Sequence, residues 1–402
     1  MLPTRVAAPA AAQHRTATEP RPSVQEMGAR SRFTERRSLN DVCGLDANAP
    51  IRLLRGQFIV DLYNSGNRLP RRQDVPEHGF WSAQITKRTV VVVVSYPWLS
   101  EAHPDPGGFH VAVLGQLLSV YTQYMRSIGL LIDGDVALFI DYSSLYQAER
   151  TEAEGEIFKS GLKCINLLYA HARTSVWCLT RLPDGVARPY HQRGWCRFEY
   201  DIASIVKTSR RFMDIGLISS EYLSSLTVDN FADVRSLVAA KRHPPQLPSE
   251  FEARLYETRD DGQFALTFTN GSTDRLFVVQ KYHETFHELF VDVDRLEYDC
   301  LRWTDEEIVQ LAKILPSCSR LRTLSLRSNC MTDDGARVLA AALPRAVGFV
   351  DLSGNDSLTW VFAEQRPFSA RWLDLDKACR QQVSEWGKRA TDDFRAYYAL
   401  RC

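Results

Sequence analysis

Thr89-Val90-Val91-Val92-Val93-Val94, closed by Ser95, is apolar at consecutive positions rather than at alternate ones. β-Branched side chains on both faces suit a strand covered on both sides, the setting of a parallel sheet. The run is far too short to cross a bilayer as a helix. Ser95-Tyr96-Pro97-Trp98-Leu99 and Pro104-Asp105-Pro106-Gly107-Gly108 then read as a loop at its carboxyl end.

Downstream the pattern alternates. Residues 109–128 predict a helix with Val111, Leu114, Leu118, Tyr121 and Met125 on one side. Val136-Ala137-Leu138-Phe139-Ile140 predicts a second strand, ending in Asp141. Thr151-Glu152-Ala153-Glu154 has the pattern of a capping box and opens a helix carrying Phe158, Leu162, Leu168 and Tyr169. Ser175-Val176-Trp177-Cys178-Leu179 predicts a third strand, and a helix containing 195–206 follows a Pro/Gly loop. Such strand–helix alternation specifies an α/β fold with a doubly wound parallel sheet. Upstream, Ile51, Leu54, Phe58, Ile59 and Leu62 predict a helix over 50–63. The first 39 residues, rich in Ala, Pro, Arg and Thr, read as a disordered tail. Ala- and Arg-rich, acid-poor starts also occur in organellar transit peptides.

From about Val293 the sequence repeats. Leu296-x-Tyr298 matches Leu324-x-Leu326, Thr304-Asp305 matches Thr332-Asp333, and Leu315-Pro316 matches Leu343-Pro344, each 28 residues on. A third unit begins two residues early at Val350-Asp351-Leu352-Ser353-Gly354-Asn355. Leu321-x-x-Leu324-x-Leu326-x-x-Asn329 resembles the leucine-rich repeat of the ribonuclease-inhibitor type, which implies a strand, an Asn turn and a helix. So few units cannot bury a core alone, so they must dock on the preceding domain or on the tail. A helix over about 375–398 would cap them. The expected division is a tail (1–40), a helical extension (41–88), the α/β domain (89–215), a helical or linker extension (216–290) and the repeats (291–402).

Lys+Arg 49 against Asp+Glu 49 gives no net charge, which argues against a nucleic-acid or anionic-membrane partner. Hydrophobic residues are 45% and charged ones 24%, the balance of a soluble globular chain. Nine cysteines without a CxxC pair point to a reducing, cytoplasmic setting rather than to disulfides or structural zinc.

In open parallel sheets, ligands bind beyond the carboxyl ends of the strands. Those ends present Ser95 to Trp98, Asp141 to Gln147 and the loop 180–194, with Arg193, Trp195 and Glu199 in or beside the first turn of the next helix. A helix amino terminus with an arginine beside it favours an anion such as pyrophosphate. Cys196 there is a candidate for a lowered thiol pKa.

Over residues 89–207, strand-Ser95, strand-Asp141 and Trp195-Cys196-x-x-Glu199 resemble the TIR domain. Phe139-Ile140-Asp141-Tyr142-Ser143-Ser144-Leu145-Tyr146-Gln147 with Arg193-Gly194-Trp195 is similar to the fungal HET (heterokaryon incompatibility) domain. The resemblance implies a TIR/flavodoxin-like sheet in a signalling protein, with protein partners or self-association. It also implies Glu199 as the catalytic residue of nicotinamide–ribose cleavage. NAD+ would then be a substrate, with no permanently bound cofactor. Ser95, Trp98, Asp141, Tyr142, Arg193 and Trp195 become its candidate binding residues, with Trp98 or Tyr142 stacking on a base. The loop at 95–110, with His103 and His110, departs from the usual TIR start. The alternative is a non-catalytic scaffold, since many TIR-type domains act as assembly surfaces.

His283-Glu284-Thr285-Phe286-His287 matches the zincin pattern HExxH, a third reading as a zinc hydrolase. Its surroundings argue for an amphipathic support helix instead. Glu288 follows the second His, no HxxGxxH continuation exists so that a third ligand would have to come from a residue such as Glu297 or Glu306, and Val279, Tyr282, Phe286 and Leu289 form a packing stripe.

Overall fold

The computed structural model describes residues 31–131, 134–238 and 242–358. Most of the expected tail and the capping helix expected over 375–398 lie outside the described residues.

The chain opens with α1 (Arg36–Val42), β1 (Leu54–Arg55) and α2 (Gly56–Asn64). The helix expected over 50–63 therefore begins six residues late. Leu54 and Arg55 instead pair antiparallel with Leu138 and Ala137. Ile51 and Leu53 enter one core and Leu54 the other, an arrangement an extended chain allows. Helical spacing upstream of Gly56 was thus a coincidence of apolar residues that strand pairing overrode.

Next come β2 (Val91–Ser95), α3 (Phe109–Ser127), β3 (Ala137–Phe139), the single turn α4 (Asp141–Ser144), α5 (Glu152–Lys163), α6 (Ile165–Ala170), β4 (Ser175–Cys178), α7 (Gly194–Ser204) and β5 (Phe212–Asp214). The sheet order is β1-β3-β2-β4-β5, parallel throughout except for the edge strand β1. Val91 and Val93 enter one core and Val92 and Val94 the other, all at most 2% exposed. Burying each such side chain stabilises by about 1.5–3 kcal/mol, which explains a strand with no polar face. α2 and α3 cover one side of the sheet, α6 and α7 the other. The capping box forms as its residues predict: Thr151 N–H donates to Glu154 Oε2 at 2.8 Å, and Glu154 N–H to Thr151 Oγ1 at 3.3 Å.

After α8 (Ser220–Ser224), α9 (Phe231–Val238) and α10 (Pro248–Leu255), the long helix α11 (Gly271–Asp292) leads into β6 (Arg295–Glu297), α12 (Asp305–Ile314), β7 (Thr323–Ser325), α13 (Asp333–Ala342) and β8 (Phe349–Asp351). β6, β7 and β8 form a parallel sheet. The repeat appears as register: Leu296 faces Leu324, 28 residues on, and Leu324 faces Val350, where the third unit begins two residues early. Asn329 joins neighbouring units, accepting from Leu301 N–H and Trp303 N–H and donating to the carbonyls of Tyr298 and Leu326.

The repeats dock on what precedes them. Tyr298 OH donates to the Ile205 carbonyl at 2.6 Å and Trp303 Nε1 to the Arg242 carbonyl at 2.7 Å, while α11, which leads into the repeats, is tied to α6 by Asn166 Nδ2 donating to Thr285 Oγ1 at 2.8 Å. One apolar core runs from Val91 and Val93 through α7 and α11 to Leu324 and Leu339. The described residues fall in one compact unit. The fold is therefore α/β with a mostly parallel main sheet. No helix among the described residues is long and apolar enough to cross a membrane.

Candidate functional site

From β2 the chain crosses to β3 on one side, then to β4 on the other, so strand order reverses at β2. Crevices open beyond the carboxyl ends of strands at such a reversal. Ser95 ends β2 there, and α7 brings Glu199 to it.

Glu199 is 7% exposed. Ser95 Oγ donates to Glu199 Oε2 at 2.5 Å and lies 2.5 Å from Tyr190 OH. Burial pushes the Glu199 carboxyl up from 4.5 to about 8. The bond from Ser95 opposes that rise, the charge of Asp141 adds to it, and a bond from Tyr169 opposes it. Desolvation wins over the two donors. Burial also keeps Tyr169 and Tyr190 neutral, as donors.

Beside this group, Asp141 accepts from Tyr96 OH at 2.5 Å, Trp98 Nε1 at 3.1 Å and Tyr142 N–H at 2.6 Å. Burial raises its pKa and these three donors restrain the rise. The rings of Trp98 and Tyr142 meet edge to face at 5.5 Å, with the His103 ring 4.9 Å from Tyr142. Gln147 donates to the Leu145 carbonyl at 2.7 Å, closing its own loop.

The structure thus brings Ser95 and Glu199 into contact, and Asp141, Trp98 and Tyr142 into a second cluster. Arg193 ties the two strand ends by donating from Nη1 to the Trp98 carbonyl at 2.6 Å. Trp195 goes elsewhere: its Nε1 donates to Asp274 Oδ2 at 2.9 Å and its ring packs on Phe277. The first turn of α7 is also partly covered. Gly194 N–H donates to the Thr267 carbonyl at 2.8 Å, and a Cβ on Gly194 would lie 2.1 Å from Phe268 Cζ. That segment, 267–268, had no legible pattern. Cys196 is buried, and burial with the nearby Glu199 charge pushes its thiol well up despite Arg193. It is not an activated nucleophile.

Sequence reasoning gives no polar role to Tyr190, whose hydroxyl meets Ser95 Oγ, or to Tyr169, whose hydroxyl donates to the Val94 carbonyl at 3.2 Å. Tyr169 was placed as core, yet a buried phenol needs a hydrogen-bond partner, and that was the available signal. Tyr190 lies in an aperiodic loop with no such cue. Neither of the two cavities described is lined by Glu199.

His283 and His287 stand exposed on α11 with ring centroids 4.4 Å apart. Glu284, the would-be base, pairs with Lys281 at 2.7 Å, while Tyr282, Phe286 and Leu289 are buried as a packing stripe. Among the described residues, no group of three or more His, Cys, Asp or Glu could hold a metal ion.

Comparison with family models, with curated proteins and with solved structures finds no match to this chain.

Proposed function

We propose that residues 89–215 are a TIR/HET-like module with a doubly wound, flavodoxin-like sheet, carrying a short leucine-rich repeat segment docked on it. The chain acts in this reading as a cytoplasmic signalling protein whose Glu199 cleaves the nicotinamide–ribose bond of NAD+. One observation carries the proposal: a buried carboxyl, raised to about 8, sits at the strand-order reversal in the grip of Ser95.

In the reaction the bonding electrons leave with nicotinamide, which departs neutral, and the ribose is left as an oxocarbenium ion. The Glu199 carboxylate stabilises that cation until water adds and releases a proton. Ser95 positions the carboxylate. Arg193, which makes no ion pair among the described residues, meets the pyrophosphate, and Trp98 or Tyr142 meets a base. Trp195, bonded to Asp274, stays outside this set.

Without substrate, Glu199 keeps its proton at neutral pH, so kcat/KM should climb with pH up to about 8 and then level. The test is nicotinamide release from NAD+ at high protein concentration, for wild type, Glu199→Ala and Glu199→Gln. The reading expects turnover in wild type that falls by roughly a hundredfold or more in both variants, with circular dichroism unchanged. Equal turnover in Glu199→Gln, or none in wild type, removes the catalytic assignment. The cover that Thr267 and Phe268 place over the first turn of α7 supports the second reading, a non-catalytic scaffold, whose mark is self-association or capture of a protein partner without turnover.

A further inference from the structure

The larger cavity, of about 760 Å³, lies at the opposite edge of the sheet from Glu199, where the parallel strands begin. Three of those strands arrive behind basic residues: Lys87 and Arg88 before β2, Arg173 before β4, Arg210 and Arg211 before β5. Parallel register lines them up, since Val92 faces Ser175 and Val176 faces Phe212. Arg211 Nη1 donates to the Arg173 carbonyl at 2.7 Å, which keeps both residues at one place.

The facing wall comes from the repeats, with Glu297, Ser325 and Asp351 in one row across β6, β7 and β8. Arg295, Arg327 and Phe349, the last 39% exposed, complete it. The lining holds seven Lys or Arg against three Asp or Glu. Those acids are engaged within the repeats: Glu297 by Arg295, Asp299 by Ser325 Oγ at 2.5 Å, and Asp351 by Arg327 at 3.7 Å. Lys87, Arg88, Arg173 and Arg211 make no ion pair among the described residues. With seven basic residues against three acidic ones, the lining keeps an excess of positive charge, concentrated at the starts of β4 and β5. Guanidinium forks match phosphate oxygens in pairs, and the volume is that of a small-molecule site. The zero net charge of the whole chain disfavours nucleic acid as the occupant.

We propose that this cavity binds a small molecule carrying two or more linked phosphates, held between the strand starts of the main sheet and the strand faces of the repeats. Phe349 and Leu130 supply an apolar seat if the phosphates carry an organic group. The site is independent of Glu199 and of NAD+ cleavage.

The test is calorimetric titration of the full chain with ADP and, separately, inorganic tripolyphosphate. Saturable binding is expected, weakened roughly tenfold to a hundredfold in Arg173→Ala and in Arg211→Ala, and unchanged in Lys159→Ala, an exposed change on α5 away from the cavity. Arg88→Glu, at an exposed position, should weaken it likewise while melting like wild type. Tighter binding of ADP supports a nucleotide as the source, and equal binding supports phosphates alone. No saturable heat with either probe overturns the proposal. So does binding lost in Arg193→Ala but kept in Arg173→Ala, which would place the ligand in the crevice near Glu199.

Discussion

The Glu199 carboxyl accepts from Ser95 Oγ and still holds its proton to about pH 8, because burial outweighs that bond. The sign of the stability effect follows. Below 4.5 both folded and unfolded states are protonated there. Between 4.5 and 8 the unfolded chain gives up the proton and the folded one keeps it, so the contribution to stability is lost as pH rises through that window. Glu199→Gln removes this dependence. Its melting temperature should gain on that of wild type steadily from pH 5 to 8, each tenfold difference in proton affinity being worth about 1.4 kcal/mol. A gap that stays constant across those buffers would show that Glu199 ionises as an ordinary surface carboxyl does. Glu199 and Ser95 were legible as strand-end and helix-start residues. That Trp195 would turn to Asp274 and that Phe268 would seat on Gly194 was not, because both partners lie more than 70 residues away in sequence.

Elements with local causes behaved as their residues predict. β2 forms where apolar side chains run without a break, and α5 starts at Thr151 because both halves of the cap lie within one turn. β1 does not follow its local spacing, since its identity depends on pairing with β3, more than 80 residues on. Two substitutions separate local from cross-unit support. Thr151→Ala removes an exposed cap and should cost about 1 kcal/mol in urea unfolding. Asn329→Ala strips partners from buried groups on Tyr298, Leu301, Trp303 and Leu326 and should cost roughly 3 kcal/mol or more. Similar losses for the two would mean the Asn bridges are not what joins the repeat units.

For the molecule as a whole, the continuous core makes the repeats part of the same cooperative structure as the sheet. Trp303 is 1% exposed and bonded to the Arg242 carbonyl, so Trp303→Ala should lower stability by about 3–5 kcal/mol. Hydrogen exchange of the β2 amides should quicken in that variant although the two sites share no contact. Quickening confined to β6, β7 and β8 would reveal two independent folding units instead.

The sequence by itself determined which residues share a face: the doubly buried Val run, the capped start of α5, the packing stripe beside His283 and His287, and the 28-residue period. These follow from side-chain period and capping, which act over a few residues. Only the tertiary structure decided which faces meet. Ser95 finds Glu199 across 104 residues, the basic starts of β2, β4 and β5 converge through parallel register, and the repeats close over them. The physical reason is that such meetings are fixed by closing long loops over a shared core, and no local period encodes where a loop will close.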